Sequence, residues 1–232
     1  MQIPSSCKPF GLREQTTPLN PISGRDWDCF HPPLSFFSGI SPKRLEIGGR
    51  NFRIFPKTAE LYGLPKTHKP DIPMRPIVSA CGDPIDKLSW FLERIITQLL
   101  IFVPAHLKNT YDFLDRLKKQ FPSGFPAGSI VFTVNVNSLY GNIPTAEVIA
   151  STIRMNKTHQ SKIDLFGLTI TDIQHLLEHC LNNYVRFRNN IYKQSKGIAI
   201  GSRIAPPIAI LFINAVESLM LATGACYISP IH

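Results

Sequence analysis

Three cationic side chains fall close together in a stretch that prolines interrupt repeatedly: Lys66, Lys69 and Arg75. An arginine presents a planar fork of N–H donors that matches phosphate oxygens, and a lysine ammonium binds phosphate as a point charge. These residues could therefore contact a phosphate-bearing ligand. The same charges also suit an exposed loop that only water contacts, and both interpretations stay open.

A second chemical group is His175-Leu176-Leu177-Glu178-His179, which matches the His-x-x-Glu-His pattern of some zinc proteases. The two histidines are one helical turn apart and share a face. The apolar positions of the same segment predict a buried stripe, which leaves the histidines on the solvent side; the stripe consists of Ile173, Leu176, Leu177, Cys180 and Leu181. No third ligand stands in a matching context, so we expect an ordinary packed helix here.

These residues need elements to hold them. Residues 1–50 are rich in Pro, Ser and Gly and predict a loosely ordered leader. The prolines in 61–79 exclude a central strand and predict an edge hairpin or a finger-like loop. An apolar strand, buried on both faces, is predicted over 130–136.

Hydrophobic periodicity predicts five helices, with Asn109 and Thr171 as N-caps of the second and fourth. They run from Pro84 to about Val103, Asn109 to about Gln120, 144–155, Thr171 to about Asn182, and Ile204 to about Leu221. A hairpin is predicted across Asn189-Asn190, a pair that tolerates positive φ. The fold class predicted from this pattern is helix-rich α+β.

Composition narrows the functional classes. The chain has 232 residues, 44% of them apolar, and a net charge of +9 with a pI near 9.5. This profile fits a folded protein with a polyanionic partner, although good solubility would explain the charge equally well. No run of about 18 uninterrupted apolar residues predicts a membrane span. Pro4, Pro9 and polar residues stand where a signal peptide would need an apolar stretch, so we expect an intracellular protein. Five widely spaced cysteines without a Cys-x-x-Cys pair predict a reduced protein without disulfides or a zinc module.

Three blocks carry a family resemblance. The first block is Leu61–Pro70 (LYGLPKTHKP) followed by Met74–Ser79 (MRPIVS). The second block is Asn135–Pro144 (NVNSLYGNIP), and the third block is Gln194–Pro206 (QSKGIAIGSRIAP). In this order and at these spacings the blocks resemble the reverse transcriptase domain of Penelope-like retroelements, over roughly residues 55–222.

The resemblance implies a partial right-hand polymerase with a finger-like part over 55–130 and an incomplete palm over 131–222. The loosely ordered leader, taken to residue 54, and a tail over 223–232 lie outside the match. The resemblance implies RNA-directed DNA synthesis on an RNA template and a DNA primer. It also makes a nuclear location plausible.

Polymerases of this family hold catalytic Mg²⁺ on an aspartate at the position of Asn135 and on two aspartates of a later Tyr-x-Asp-Asp hairpin. An amide offers one neutral oxygen, whereas Mg²⁺ prefers carboxylates. No Asp-Asp pair occurs in the sequence. We therefore expect that this chain holds no Mg²⁺ productively and is catalytically inactive. A turn-forming asparagine at a strand end is the structural alternative for Asn135.

Other site residues also follow from the resemblance. Arg75 would contact the nucleotide triphosphate, with Lys66 as a second contact and Lys69 near the nucleic acid. Tyr140 would pack against the sugar, or else be a core tyrosine. Gly197 and Gly201 would let backbone approach the primer or nucleotide, or serve helix packing.

Arg203 and Ala205 depart from the family pattern in the third block, which bears on the site residues assigned there. Beside the inactive polymerase relative, two alternatives stay open: a nucleic-acid-binding remnant without catalysis, or a truncated product without a selected function. The absent third palm motif does not separate these two.

Overall fold

The computed structural model describes residues 57–130 and 135–222 together with the backbone of a short strand near the N-terminus. The predicted leader, residues 131–134 of the predicted strand and the predicted tail lie outside the described residues, apart from that N-terminal strand. The strands are β1 (Leu12–Glu14), β2 (Ala59–Pro65), β3 (Met74–Ser79), β4 (Tyr184–Phe187) and β5 (Asn190–Gln194). The helices are α1 (Pro84–Thr97), α2 (Thr110–Gln120), α3 (Leu139–Asn142), α4 (Thr145–His159), α5 (Ile170–Leu181) and α6 (Ala205–Ala222).

The fold is mixed α+β, as predicted, with the described strands in one sheet of order β1-β5-β4-β2-β3. β2 and β3 form an antiparallel hairpin, and β3 is the outer strand of this sheet. An outer strand tolerates Pro76, which has no N–H to donate. The predicted edge hairpin over 61–79 is confirmed.

A parallel pairing of β2 with β4 joins the two halves of the chain. Its register places Glu60 beside Arg186, and the guanidinium binds the carboxylate at 2.6 Å. The Arg186 hydrogen bond is the main cause that lowers the pKa of Glu60. The sheet therefore takes strands from both the predicted finger-like part and the predicted palm.

Helices α1, α4, α5 and α6 surround the larger hydrophobic core. α1 begins where its sequence directs: Asp83 accepts a hydrogen bond from the N–H of Ile85, and Pro84 occupies the first turn. Asp83 also accepts from the N–H of Ala59, which ties the start of α1 to the start of β2. The central core side chains are fully buried and include Leu92, Ile95, Ile96, Val148, Ile173, Leu177, Ile208 and Leu211.

α6 extends beyond this core. It has 18 residues, and its mean hydropathy of 1.7 would let it cross a membrane by length and composition. Its first half is buried in the core, whereas Leu219, Met220 and Leu221 are exposed. Core helices of soluble proteins also pass this test, so the helix does not by itself assign a membrane location.

Several predicted elements are confirmed and others need correction. α2 is capped by Asn109, and α6 occupies the predicted range. The first helix is α-helical only to Thr97 and continues as a 3-10 helix to Phe102. The helix predicted over 144–155 corresponds to α4, which is longer than predicted and ends at His159.

The structure corrects three predictions in part: the N-cap of one helix, the turn position of one hairpin and the ends of one strand. The N-cap of α5 is Thr169, not Thr171, because the Thr169 hydroxyl accepts from the N–H of Asp172 and the Asp172 carboxylate accepts from the N–H of Thr169. The β4–β5 turn places its positive φ on Arg188, one residue before the predicted pair. The flanks of the predicted strand over 130–136 are not strand: Ile130 is 86% exposed and Val136 is 51% exposed.

Candidate functional site

The third block forms a loop that contacts the second block through backbone atoms. The N–H of Ile198 donates to the carbonyl oxygen of Tyr140 over 2.7 Å. Gly197 has a φ of +77°, and a Cβ atom there would lie 2.6 Å from the Tyr140 oxygen. Only glycine fits this contact, because it combines a positive φ with backbone filling the space of a side chain.

The other end of the same loop contacts the first block. The N–H of Val78 donates to the carbonyl oxygen of Ile200 over 2.7 Å, along the outer edge of β3. Gly201 has a φ of +115°, and a Cβ atom there would overlap the carbonyl oxygen of Val78. The side of each loop glycine where a Cβ would stand is therefore filled by protein backbone and is not open to a ligand.

Two buried residues between these glycines connect the hydrophobic cores. Ile198 belongs to the helical core, and Ala199 packs with Ala59, Leu61 and Val78 in the smaller core beneath the sheet. The loop thus lies at the junction of sheet and helices. Because it is fixed at both ends and in the middle, it holds the first and second blocks at a set separation.

The three cations predicted to bind phosphate lie on the β2–β3 hairpin. Lys69 and Arg75 are exposed, and Lys66 is half-buried. The hairpin loop is closed by the N–H of Lys66, which donates to the carbonyl of Pro73. No carboxylate of the described residues forms an ion pair with any of the three. Their charges remain available to an anionic partner.

Arg75 lies three residues before Val78 on β3, a distance of about 10 Å at the usual strand rise. Gly201 contacts the strand at Val78, so the base of the hairpin touches the glycine loop while the cations extend toward the hairpin tip. The resemblance also predicts that Asn135 ends a central palm strand, with Arg75 and Gly201 facing the same cleft, and this stays a prediction.

Asn135 is exposed and stands just before the turn that leads into α3. The carbonyl of Asn137, two residues later, accepts from the side-chain amide of Asn142 over 3.2 Å. Two residues of chain span at most about 7 Å, so the backbone of Asn135 lies within about 7 Å of the backbone of Asn137 and thus near the Asn137–Asn142 contact. Ser138 takes a φ of +51° at the turn.

Lys196 joins this contact from the third block and was missed in the sequence. Its ammonium donates to the side-chain oxygen of Asn142 over 3.3 Å. The contact spans 54 residues and depends on the loop glycines, so no local sequence signal identifies it. It places a positive charge beside the turn that follows Asn135.

The donor set at this position does not fit Mg²⁺. The groups placed at this turn are the side-chain amide of Asn142, the backbone carbonyl of Asn137 and the cation of Lys196, and the residue two positions earlier, Asn135, is itself a neutral amide. Mg²⁺ requires hard anionic oxygens, and an adjacent ammonium repels it. Within residues 57–130 and 135–222, no group of three His, Cys, Asp or Glu side chains could hold a metal ion.

The remaining candidates are Tyr140 and the histidine pair. The Tyr140 ring packs against the helical core, in agreement with the structural alternative, and its carbonyl holds the loop. On α5 the predicted apolar stripe is confirmed, since all five of its members are buried. His175 is exposed and His179 is half-buried on the remaining surface.

Arg203, a departure from the family pattern, has a structural partner. Its guanidinium donates to Asp86 in the first turn of α1 over 2.8 Å, and this hydrogen bond raises the pKa of Arg203. The pair ties the end of the glycine loop to the start of α1.

Compared with known proteins, the chain matches no family model. No curated protein matches it either.

Proposed function

We propose that this chain is a catalytically inactive relative of retroelement reverse transcriptases that binds nucleic acid through its phosphate backbone. The observation that carries the proposal is the loop of the third block, which is hydrogen-bonded to Val78 of the first block and to Tyr140 of the second. Blocks that are separated by dozens of residues meet in space. A polymerase site assembled from three segments needs this arrangement.

The proposed fold is the partial right-hand polymerase that the sequence resemblance implies. In this arrangement the β2–β3 hairpin is the finger-like element, and Asn135 follows the strand that the sequence predicts for the palm. The mixed α+β architecture and the placement of the three blocks support this assignment.

The inactivity follows from the donor set. Nucleotidyl transfer depends on metal ions that align the attacking and leaving oxygens and neutralise developing charge. In place of carboxylates, the turn after Asn135 carries amide groups and the Lys196 cation. Removing one preorganised electrostatic contributor already costs ~10²–10³ in rate, and this chain would lack several.

Binding of an RNA template or a DNA primer is supported by charge. The net charge is +9, and Lys66, Lys69 and Arg75 project from one hairpin without a carboxylate partner among the described residues. Lys196 adds a cation at the turn of the second block. Phosphate neutralisation by such groups gives affinity without strong sequence preference.

Primer extension tests the proposal. The purified chain, Asn135→Asp, and the matched control Asn137→Asp are incubated with a primer–template, four deoxynucleotides and Mg²⁺ or Mn²⁺. We expect no extension by any of the three, because one restored carboxylate cannot hold two metal ions. Templated, metal-dependent extension by the unmodified chain would overturn the inactive assignment. Binding of the same primer–template in the absence of extension supports the remaining part of the proposal.

A further inference from the structure

The two histidines of α5 present a pair of nitrogen donors on a rigid surface. His175 and His179 are four residues apart, which places their Cβ atoms about 5–6 Å from each other on one face. Neutral imidazoles at this spacing can bind the same borderline metal ion. We propose that His175 and His179 form a bidentate site for a divalent transition metal ion such as Zn²⁺ or Ni²⁺.

The helix beneath the pair is firmly anchored. The opposite face of α5 is buried through five apolar side chains, and the capping box of Thr169 and Asp172 fixes its first turn. A donor pair on a preformed helix loses little conformational freedom when it binds an ion. This rigidity distinguishes the pair from two histidines on a loop.

Within the described residues, the two histidines are the protein ligands that this site offers. Glu178, which lies between the histidines in sequence, accepts a hydrogen bond from Gln174 one turn earlier over 3.0 Å. No third ligand within the described residues completes a three-residue group. The remaining coordination positions would belong to water, so the site is a chelate and not the centre of a zinc protease.

This inference is independent of the polymerase resemblance, because α5 lies outside the three blocks. The choice of metal ion distinguishes a polymerase-type magnesium site from a histidine chelate. Mg²⁺ prefers oxygen ligands and keeps its water shell, whereas imidazole nitrogen suits Zn²⁺, Ni²⁺ and Cu²⁺.

The test is isothermal titration of the full chain, free of any histidine tag, with ZnCl₂, NiCl₂ or MgCl₂ at pH 7.5. We expect one saturable site for Zn²⁺ and for Ni²⁺ and none for Mg²⁺. His175→Ala or His179→Ala should each weaken Zn²⁺ binding by at least about tenfold, because the second imidazole binds within the same molecule once the first is engaged.

Two controls make the result specific. Glu178→Gln retains both imidazoles, and His68→Ala removes an exposed histidine from the β2–β3 hairpin loop; both should bind Zn²⁺ as the unmodified chain does. Circular dichroism of each variant verifies that the helix content of the chain is unchanged. His175→Gln repeats the test with a side chain closer in size to histidine than alanine is. Absence of a saturable Zn²⁺ site, or unchanged Zn²⁺ affinity in the double variant His175→Ala/His179→Ala, would refute the proposal.

Discussion

Gly201 lies against the carbonyl oxygen of Val78 so closely that no side chain fits between them. The contact brings the glycine loop to the outer edge of β3, where the N–H of Val78 donates to Ile200. The relationship couples the end of the third block to the hairpin that carries Lys66 and Arg75. It also gives the loop glycine a structural role that can be measured.

The change Gly201→Ala should destabilise the protein strongly, because it adds a steric overlap with Val78 to a strained positive φ. Gly124→Ala is the matched control, since Gly124 has a φ of +87° and a Cβ atom there would meet nothing within 4 Å. We expect Gly124→Ala to cost about 1–2 kcal/mol and Gly201→Ala clearly more. Urea unfolding of both variants measures the difference, and equal losses would show that the overlap relaxes freely.

Nucleic-acid binding should depend on the hairpin cations. The double variant Lys66→Gln/Arg75→Gln should weaken binding to an RNA–DNA duplex and reduce the slope of log affinity against log salt by roughly one for each lost phosphate contact. The control is Lys118→Gln/Lys119→Gln, which removes two exposed charges from the last turn of α2. Fluorescence anisotropy at several salt concentrations measures both. The same reduction in the control would mean that overall charge, and not the hairpin, determines binding.

The cap of α5 gives a stability prediction that separates two neighbouring threonines. Thr169→Ala removes the hydroxyl that accepts from the N–H of Asp172 and should cost about 1 kcal/mol. Thr171→Ala, two residues later, removes an exposed hydroxyl and should stay within about 0.5 kcal/mol of the unmodified protein. Thermal or urea unfolding compares the two, and the opposite order would move the cap back to Thr171.

The carboxylate of the same cap predicts a pH dependence. Hydrogen bonds from the Thr169 hydroxyl and then the Thr169 N–H lower the pKa of Asp172. Because the folded state holds the lower pKa, its contribution is present above the unfolded pKa of about 3.9 and is lost as the pH falls through the folded value. The stability difference between the unmodified chain and Asp172→Asn should therefore shrink below about pH 4. A difference that is constant from pH 7 to pH 3 would contradict this assignment.

The two described cysteines should differ in reactivity. Burial raises the pKa of the Cys180 thiol to about 12, whereas Cys81 is exposed. Since the thiolate is the reactive form, iodoacetamide at pH 8 should modify Cys81 in the folded protein and Cys180 only after unfolding. Peptide mass spectrometry with and without urea measures this. Rapid labelling of Cys180 in the folded protein would show that α5 opens readily.

Sequence reasoning succeeded where a signal is local. Asn109 is followed by Asp112 in the first turn of α2, and the prolines of 61–79 exclude a central strand. It failed where two local signals compete. Thr169 and Thr171 each precede a residue that can complete a capping box three positions later, Asp172 and Gln174, and the local sequence does not decide between them.

The turn at Arg188 and the position of Lys196 depend on distant contacts. The pairing of Val185 with buried Tyr192 sets the register of the β4–β5 hairpin and so moves the positive φ to Arg188. Lys196 reaches Asn142 only because Gly197 admits the backbone of Tyr140. Neither consequence could be read from neighbouring residues.

The parallel pairing of β2 with β4 constrains the order of events during synthesis on the ribosome. Glu60 and Arg186 are 126 residues apart, so β2 emerges long before its partner strand exists. Closing so large a loop is slow, and an unpaired strand edge invites association with other chains in the meantime. The β2–β3 hairpin should therefore need protection by chaperones while the nascent chain is incomplete.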